Sequence, residues 1–300
     1  MITFLSGGTG TPKLIWGMRA HLDDTEIAVV VNTAEDIWMS GNHISPDIDT
    51  LIYLFTGILN TTTWWGIRAD TFSTHGVLLS LGCKEILSIG DRDRATHIIR
   101  GGLLRMGERL TTSTKILCQR YGVTSQILPM TDIPVETIVT TNAGEMHFQD
   151  FWVKHQGMVP ITGIHRRFSA SPVATPEVRS ILRDSEAVII GPSNPVTSIM
   201  PILECPGVRD ELIGRPVIAC SPFIGTKPVS GPAGVLMKAW GKEPSSRGTF
   251  ELYQDLMPVF IQDIRDEVKV AGSYRFDTLM KDQETSRNLA GNILEIINNG

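Results

Sequence analysis

A glycine-rich segment, Gly7-Gly8-Thr9-Gly10-Thr11-Pro12, follows the apolar run Ile2–Ser6 and precedes a helical pattern over Lys13–Leu22. Glycines after a first strand let backbone amides approach a phosphate, and the next helix offers free N–H groups and the positive end of its dipole. Gly7, Gly8, Thr9, Gly10, Thr11 and Lys13 are therefore phosphate-binding candidates, with a tight strand-to-helix turn as the purely structural alternative. The segment is not the dinucleotide fingerprint. Lys13 stands at the third glycine of G-x-G-x-x-G, and Asn32-Thr33 end the second strand where a ribose-binding acid belongs. Walker A spacing is absent as well. Nicotinamide chemistry is the weakest class.

Acidic residues gather downstream, first as Glu35-Asp36 and then in Ser45-Pro46-Asp47-Ile48-Asp49-Thr50. Ser45 reads as an N-cap, Pro46 as the first helical residue and Asp47 as an acid at the positive helix end. Asp49 lies two residues on and so points away from Asp47 on a helix; it is either an exposed acid or a ligand or metal contact. Carboxylates beside a phosphate loop suit a magnesium ion shared with substrate phosphates, and Asp47, Asp49 and Asp91 are the carboxylates taken for it.

The segment Ser88-Ile89-Gly90-Asp91-Arg92-Asp93-Arg94-Ala95-Thr96-His97 alternates in charge. Asp91 or Asp93 can cap the helix that follows. Arg92 and Arg94 are either a solvated ion-pair face or a planar clamp on phosphate. Trp64-Trp65-Gly66 offers rings to an aromatic ligand, although tryptophans more often fill a core. His43, His75, His97, His147 and His165 lack zinc spacing, and no G-x-S-x-G elbow supplies an acyl nucleophile. Cys83, Cys118, Cys205 and Cys220 form no CxxC pair and read as small buried hydrophobes.

These residues need a scaffold, and the hydrophobic pattern supplies one. Glu26–Asn32 contains the β-branched block Ile-Ala-Val-Val-Val of a buried parallel strand, so strand, glycine turn, helix and strand make a βαβ unit. Ala187–Gly191 and Pro216–Cys220 repeat the rhythm, each followed by a Gly/Pro/Ser-rich loop. Ligands of open α/β sheets sit at the carboxyl ends of strands. The loops Gly191-Pro192-Ser193-Asn194-Pro195 and Ser221-Pro222-Phe223-Ile224-Gly225 therefore share a rim with Gly7–Thr11, and Lys227 with the turn Pro228–Pro232 continues it. Ser45–Ile58, Phe72–Leu81, Arg92–Arg105 and Thr111–Tyr121 read as helices, with Gly82 and Gly122 as stops. Val135–Thr141 and Glu145–Lys154 read as a β-hairpin around Asn142-Ala143-Gly144. The expected fold is a single doubly wound, Rossmann-like α/β domain over 1–300, with a parallel sheet and a helical and β-hairpin insertion at roughly 45–170.

Composition removes other classes. Of 300 residues, 42% are hydrophobic and 20% charged, which supports a sizeable core and excludes wholesale disorder. The formal charge of −5 and the lack of a basic run argue against a nucleic-acid partner. No apolar stretch approaches the roughly 18 residues that span a bilayer, and Met1–Ser6 lacks a charged signal region. A cytoplasmic protein without a membrane partner is expected.

Several long motifs in order resemble the 2-phospho-L-lactate transferase family. They are Ser-Gly-Gly-Thr-Gly-Thr-Pro-Lys at 6–13, Val-Asn-Thr-Ala-Glu-Asp at 31–36, Ser-Pro-Asp-Ile-Asp-Thr at 45–50 and Trp-Trp-Gly-Ile at 64–67. Gly-Asp-Arg-Asp-Arg-Ala-Thr-His at 90–97, Gly-Pro-Ser-Asn-Pro at 191–195 and Pro-Val-Ser-Gly-Pro-Ala at 228–233 continue the match. The resemblance implies transfer of a 2-phospholactyl group, or a related three-carbon phosphoryl group, from a guanosine diphosphate-activated three-carbon acid. The acceptor it implies is the ribitol hydroxyl of the deazaflavin precursor 7,8-didemethyl-8-hydroxy-5-deazariboflavin, with GMP released, magnesium required and a homodimer formed. It further implies deazaflavin contacts at Asp49 and Ser88, beside which Trp65 is the aromatic candidate. Ser193 and Asn194 join the glycine loop on the donor.

Phosphoryl-type transfer asks chiefly for positioning and charge neutralisation. On that reading Asp49 orients or deprotonates the ribitol hydroxyl, and Arg92 or Arg94 stabilises the transferring group. A sister family with the same glycine loop supplies the alternative, a non-catalytic regulator that binds a nucleotide sugar.

Overall fold

The computed structural model describes residues 1–299. Strand β1 (Ile2–Ser6) leads through the glycine loop into helix α1 (Gly10–Met18), and β2 (Ile27–Val31) returns beside β1. The two strands pair in parallel, Ile2 opposite Ile27 and Ser6 opposite Val31, and every residue of both is buried. Burial on both faces is why these runs are apolar throughout instead of alternating.

A short hairpin, β3 (Ile37–Met39) and β4 (Asn42–Ile44), then opens into four helices. They are α2 (Pro46–Phe55), α3 (Ser73–Ser80), α4 (Asp91–Arg105) and α5 (Leu110–Tyr121). Gly122 ends α5 in a left-handed conformation at φ 72°, the geometry a glycine adopts without strain. Strand β5 (Gln126–Pro129) rejoins the main sheet beside β2. A separate antiparallel sheet follows in the order β7-β6-β8, from β6 (Val135–Thr141), β7 (Gly144–His147) and β8 (Ile161–Phe168).

Helix α6 (Pro176–Asp184) leads back to the main sheet at β9 (Ala187–Ile190) and β10 (Val217–Cys220). A two-strand ribbon, β11 (Phe223–Ile224) with β12 (Lys227–Pro228), precedes β13 (Val259–Asp263) and β14 (Tyr274–Phe276). The last helix, Gln283–Asn299, packs on α1 so tightly that a β-carbon on Gly17 would lie 2.1 Å from the Ser286 carbonyl oxygen.

The main sheet has seven strands in the order β14-β13-β10-β9-β1-β2-β5, all parallel neighbours. Leu5, Ala28, Val30 and Ile190 face one apolar layer, and Phe4, Val29, Val31 and Ile189 face the other, which α2, α5 and the last helix cover. The doubly wound, Rossmann-like α/β fold is the one expected.

Two features differ from expectation. β5 belongs to the main sheet, as its edge strand beside β2, although it falls within 45–170, so the helices and the small sheet enter before and after a strand of the main sheet. The second hairpin strand ends at His147, because Phe148 and Phe151 turn into the core and Asp150–Lys154 winds into a π-helical turn. Of the cysteines, Cys118, Cys205 and Cys220 are buried as expected, whereas Cys83 is exposed.

From β1 the chain winds to β2 and β5 on one side and to β9 and β10 on the other, so a switch point opens between β1 and β9. Two loops close on each other there. A β-carbon on Gly10 would lie 1.9 Å from the Pro192 carbonyl oxygen, and one on Gly191 would lie 2.2 Å from Thr11 Oγ1. Ser193 Oγ accepts from the Gly7 and Thr11 amides at 3.2 Å each, which locks the loops. Gly10→Ala should therefore destabilise the protein by roughly 1–3 kcal/mol in denaturant unfolding, as overpacking does. An unchanged unfolding midpoint would contradict this contact.

Candidate active site

The glycine loop forms part of a cleft of about 720 Å³. Gly8, Thr9, Glu35, Pro46, Asp47 and Thr50 make one part of its lining. Trp64, Trp65, Phe72 and Trp152 supply aromatic surface, and Leu87, Ser88, Asp70 and Asp93 complete the wall. Among the described residues, no protein acceptor engages the backbone N–H groups of Gly8, Thr9 or Gly10. Free amides at the start of a nine-residue helix have the chemistry to receive an anion.

The two tryptophans are half-buried, each packed against a core cluster while also lining the cleft. Trp64 holds a left-handed backbone at φ 56°, and its ring meets Trp16 edge-on at 5.7 Å. Lys13 Nζ stands 5.3 Å from the centre of the Trp64 ring, and burial lowers the Lys13 pKa. Lys13 and Gly10 also line a small crevice with Pro192, Ser221 and Ser230, which places the phosphate loop against the rim of the later strands.

Asp47 is buried on the cleft wall. Its Oδ2 accepts from Asn32 Nδ2 at 2.9 Å, and a β-carbon on Gly8 would lie 2.4 Å from its Oδ1, so glycine at that position is what admits the carboxylate. Burial raises the Asp47 pKa to about 7 despite the Asn32 bond, with Asp49 adding repulsion. Withdrawal from water, followed by the charge of Asp47, holds the Glu35 carboxyl well above its usual range. Two buried oxygen donors whose proton affinity is raised by withdrawal from water are of the kind that suits a hard divalent cation.

Asp49 lies outside that wall. It is buried against α4, where Arg100 Nη2 donates to its Oδ1 and Arg100 Nη1 to its Oδ2 at 3.1 Å. His97 Nε2 stands 3.1 Å from both Asp49 Oδ2 and Asp93 Oδ1, and the Tyr53 hydroxyl donates to Asp93 Oδ1 at 2.7 Å. Burial raises the Asp49 pKa, but Arg100 and His97 outweigh it and hold the carboxyl well below its usual range. Burial likewise opposes the charge on His97, yet Asp49 and Asp93 lift its pKa to about 9. Asp49, Asp93 and His97 approach each other closely enough for a metal site, but the Arg100 guanidinium and the His97 proton already balance the two carboxylates.

Several expected contacts are placed elsewhere. Arg94 makes a double hydrogen bond to Glu85 at 2.9 and 2.7 Å, and Arg92 is exposed with its Nη1 on the Arg68 carbonyl; neither lines the cleft. Asp91 caps α3, accepting from the Ser73 and Thr74 amides, so Asp47, Asp49 and Asp91 form no shared cation site. The N-cap of α4 is Gly90, and the carboxylate on its first amides is Asp70, bonded to Arg92 and Asp93 N–H. Ser45 does not cap α2 with its hydroxyl, which donates to Asp36 at 2.8 Å. Gly7 and Thr11 spend their amides on Ser193, and Asn194 accepts from Val196 and Thr197. Ser88 and Trp65 do line the cleft, as do Gly8 and Thr9.

Tyr53, His97 and Arg100 escaped the sequence reading as site residues. A signal was present: Asp93, His97 and Arg100 fall at i, i+4 and i+7 on α4, and Asp49 and Tyr53 at i and i+4 on α2. Charged residues on the buried stripe of two helices imply that the stripes face each other.

Fold and cleft define a doubly wound α/β protein whose glycine loop leaves free amides beside an aromatic wall. Residues 2–290 match the family described as 2-phospho-L-lactate transferase CofD. The chain belongs to that family. A 2-phospho-L-lactate transferase from Methanospirillum hungatei JF-1 is 55% identical over 98% of this chain and 99% of its own. One from Methanocorpusculum labreanum is 53% identical over 98% of each chain, and one from Methanocaldococcus jannaschii 38% identical over 98% and 97%. A solved Bacillus halodurans protein, described as a member of the UPF0052 family, matches 96% of this chain and 89% of its own. Its TM-score is 0.59 at 12% identity, a likeness of fold. Among the described residues, no helix is long and apolar enough to cross a membrane.

The His97 pKa of about 9 lies above the ordinary value of 6.5, so its charge stabilises the fold fully below about pH 6.5 and ceases to do so as pH rises through 9. The stability gap between the parent protein and His97→Gln should be on the order of 3 kcal/mol near pH 6 and shrink toward pH 10. Urea unfolding at both pH values measures it, and a gap independent of pH would contradict the charged assignment.

Proposed function

We propose that the protein transfers a phospholactyl group, or a related three-carbon phosphoryl group, from a guanosine diphosphate-activated acid to the ribitol hydroxyl of the deazaflavin precursor, with GMP as the leaving group. The observation that carries this reading is one cleft in which free glycine-loop amides and the Asp47–Glu35 pair share a wall with Trp65, Phe72 and Trp152. An anionic diphosphate and a flat aromatic ring system are the two ligand chemistries those surfaces fit.

In this reading the amides of Gly8 and Thr9 and the Lys13 ammonium hold the diphosphate, with the guanosine directed toward the crevice that Lys13 shares with Ser221 and Ser230. Asp47 and Glu35 are the residues that would hold magnesium, which neutralises diphosphate charge when bound. Trp65 and its aromatic neighbours stack the deazaflavin ring, and Ser88 offers it a hydroxyl. The binding surfaces thus act by orientation and charge placement, which is most of what phosphoryl transfer requires. A homodimer and a cytoplasmic setting belong to the same reading and rest on the family resemblance.

Purified protein should release GMP only when donor, deazaflavin acceptor and magnesium are all present. Binding of a nucleotide sugar with no turnover of any three-carbon donor would replace this reading with the regulator. Trp65→Ala should raise the acceptor KM roughly three- to tenfold with a smaller change in kcat, the worth of a lost aromatic contact. A raised donor KM with an unchanged acceptor KM would reverse the assignment of the two surfaces.

A further inference from the structure

Four carboxylates line the cleft, and they are not equivalent. Asp70 spends both oxygens on the first amides of α4, at 2.9–3.1 Å. Asp47 is bonded to Asn32 and pressed against Gly8, and burial, then the charge of Asp47, holds the Glu35 carboxyl above its usual range. Asp47 and Asp93 are each gripped on one oxygen and free on the other, but the free Oδ1 of Asp47 faces Gly8 in the phosphate loop, whereas Asp93 turns its free oxygen to Gly66 beside the tryptophans. Asp93 Oδ1 takes the Tyr53 hydroxyl at 2.7 Å and faces His97 Nε2 at 3.1 Å. Among the described residues, no protein donor reaches Oδ2, which lies 3.7 Å from where a β-carbon on Gly66 would be. Gly66 is itself a cleft residue and carries no side chain to cover that oxygen.

We propose that Asp93 is the catalytic base of the transfer, taking the proton of the acceptor hydroxyl on Oδ2 while Tyr53 and His97 act as positioning residues that fix Oδ1. The inference rests on the transferase reading above. In the step, the acceptor O–H proton passes to Asp93 and the acceptor oxygen bonds to the phosphorus that carries the three-carbon group. The bond from that phosphorus to the bridging oxygen breaks, and its electron pair leaves with GMP. Asp93 then gives the proton to water in the open cleft.

The charges behind Asp93 suit this duty. Asp49 and Asp93 together balance Arg100 and protonated His97, so a proton on Asp93 leaves the cluster one positive charge in excess. That charge appears next to a phosphoryl group as negative charge builds on it and on the leaving GMP, where a preorganised field is worth most.

The test compares turnover and substrate affinity. Asp93→Asn keeps the shape and an oxygen for Tyr53, so it should fold, bind donor and acceptor within about threefold of the parent protein, and lose about 10²–10⁴ in kcat. Formate added to Asp93→Ala should restore at least tenfold of the lost turnover, which a merely structural role would not show. Tyr53→Phe should lower kcat several-fold at unchanged donor affinity. Asp93→Asn turnover within threefold of the parent, a loss wholly in acceptor affinity, or an Asp93→Ala defect untouched by formate would overturn the inference while leaving the transferase reading in place. A parent protein that transfers nothing in the same assay would overturn both.

Discussion

A guanidinium without access to water must find its counter-charge inside the protein, and Arg100 on α4 is fully buried. It finds Asp49 on α2. The pairing fixes the distance and rotation of the two helices, and both helices line the cleft, α2 through Pro46, Asp47 and Thr50 and α4 through Asp93. Breaking one partner of such a pair costs about 3–5 kcal/mol, a large fraction of a domain's net stability. Asp49 therefore acts through what it holds: the stripe that binds Arg100 also sets His97 and, through it, Asp93.

The switch point supplies a second, independent constraint. Backbone meets backbone there with no room for a side chain on Gly10 or Gly191, and Ser193 bridges the loops. Its effect on the site is subtractive. With the Gly7 and Thr11 amides already bonded, the free amides are those of Gly8, Thr9 and Gly10. These free amides are thus preorganised by packing, and the carboxylates of Asp47 and Glu35 stand on the same cleft with their proton affinity raised by burial.

Much of this was legible in the sequence. The block Ile27–Val31, the glycine loop and the rhythm of later strands announce a parallel sheet with ligands at strand ends, because burial and backbone freedom act locally. Helices α2, α4 and α5 show in their spacing, and Ser88 and Trp65 reach the cleft. What eluded reading depends on tertiary partners. Arg94 looked like a phosphate clamp, but Glu85 takes it; Asp91 looked like a cation ligand or cap of its own helix, but it caps α3. Asp49 was separable from Asp47 by helix geometry, yet the direction it faces follows from Arg100, about fifty positions away. Strands β5 and β8 are short or charged and take their pairing from neighbours already in the sheets.

The central claim is that one cleft receives both substrates, the donor diphosphate at the glycine loop and the acceptor ring at the aromatic wall. Amide hydrogen exchange with each ligand added separately tests it most directly. The account predicts that the donor with magnesium slows exchange at 8–13 and 191–194, and that the deazaflavin acceptor slows it at 64–72 and 149–153. Protection of a region remote from the cleft, or the same segments protected by both ligands in mutual competition, would contradict it.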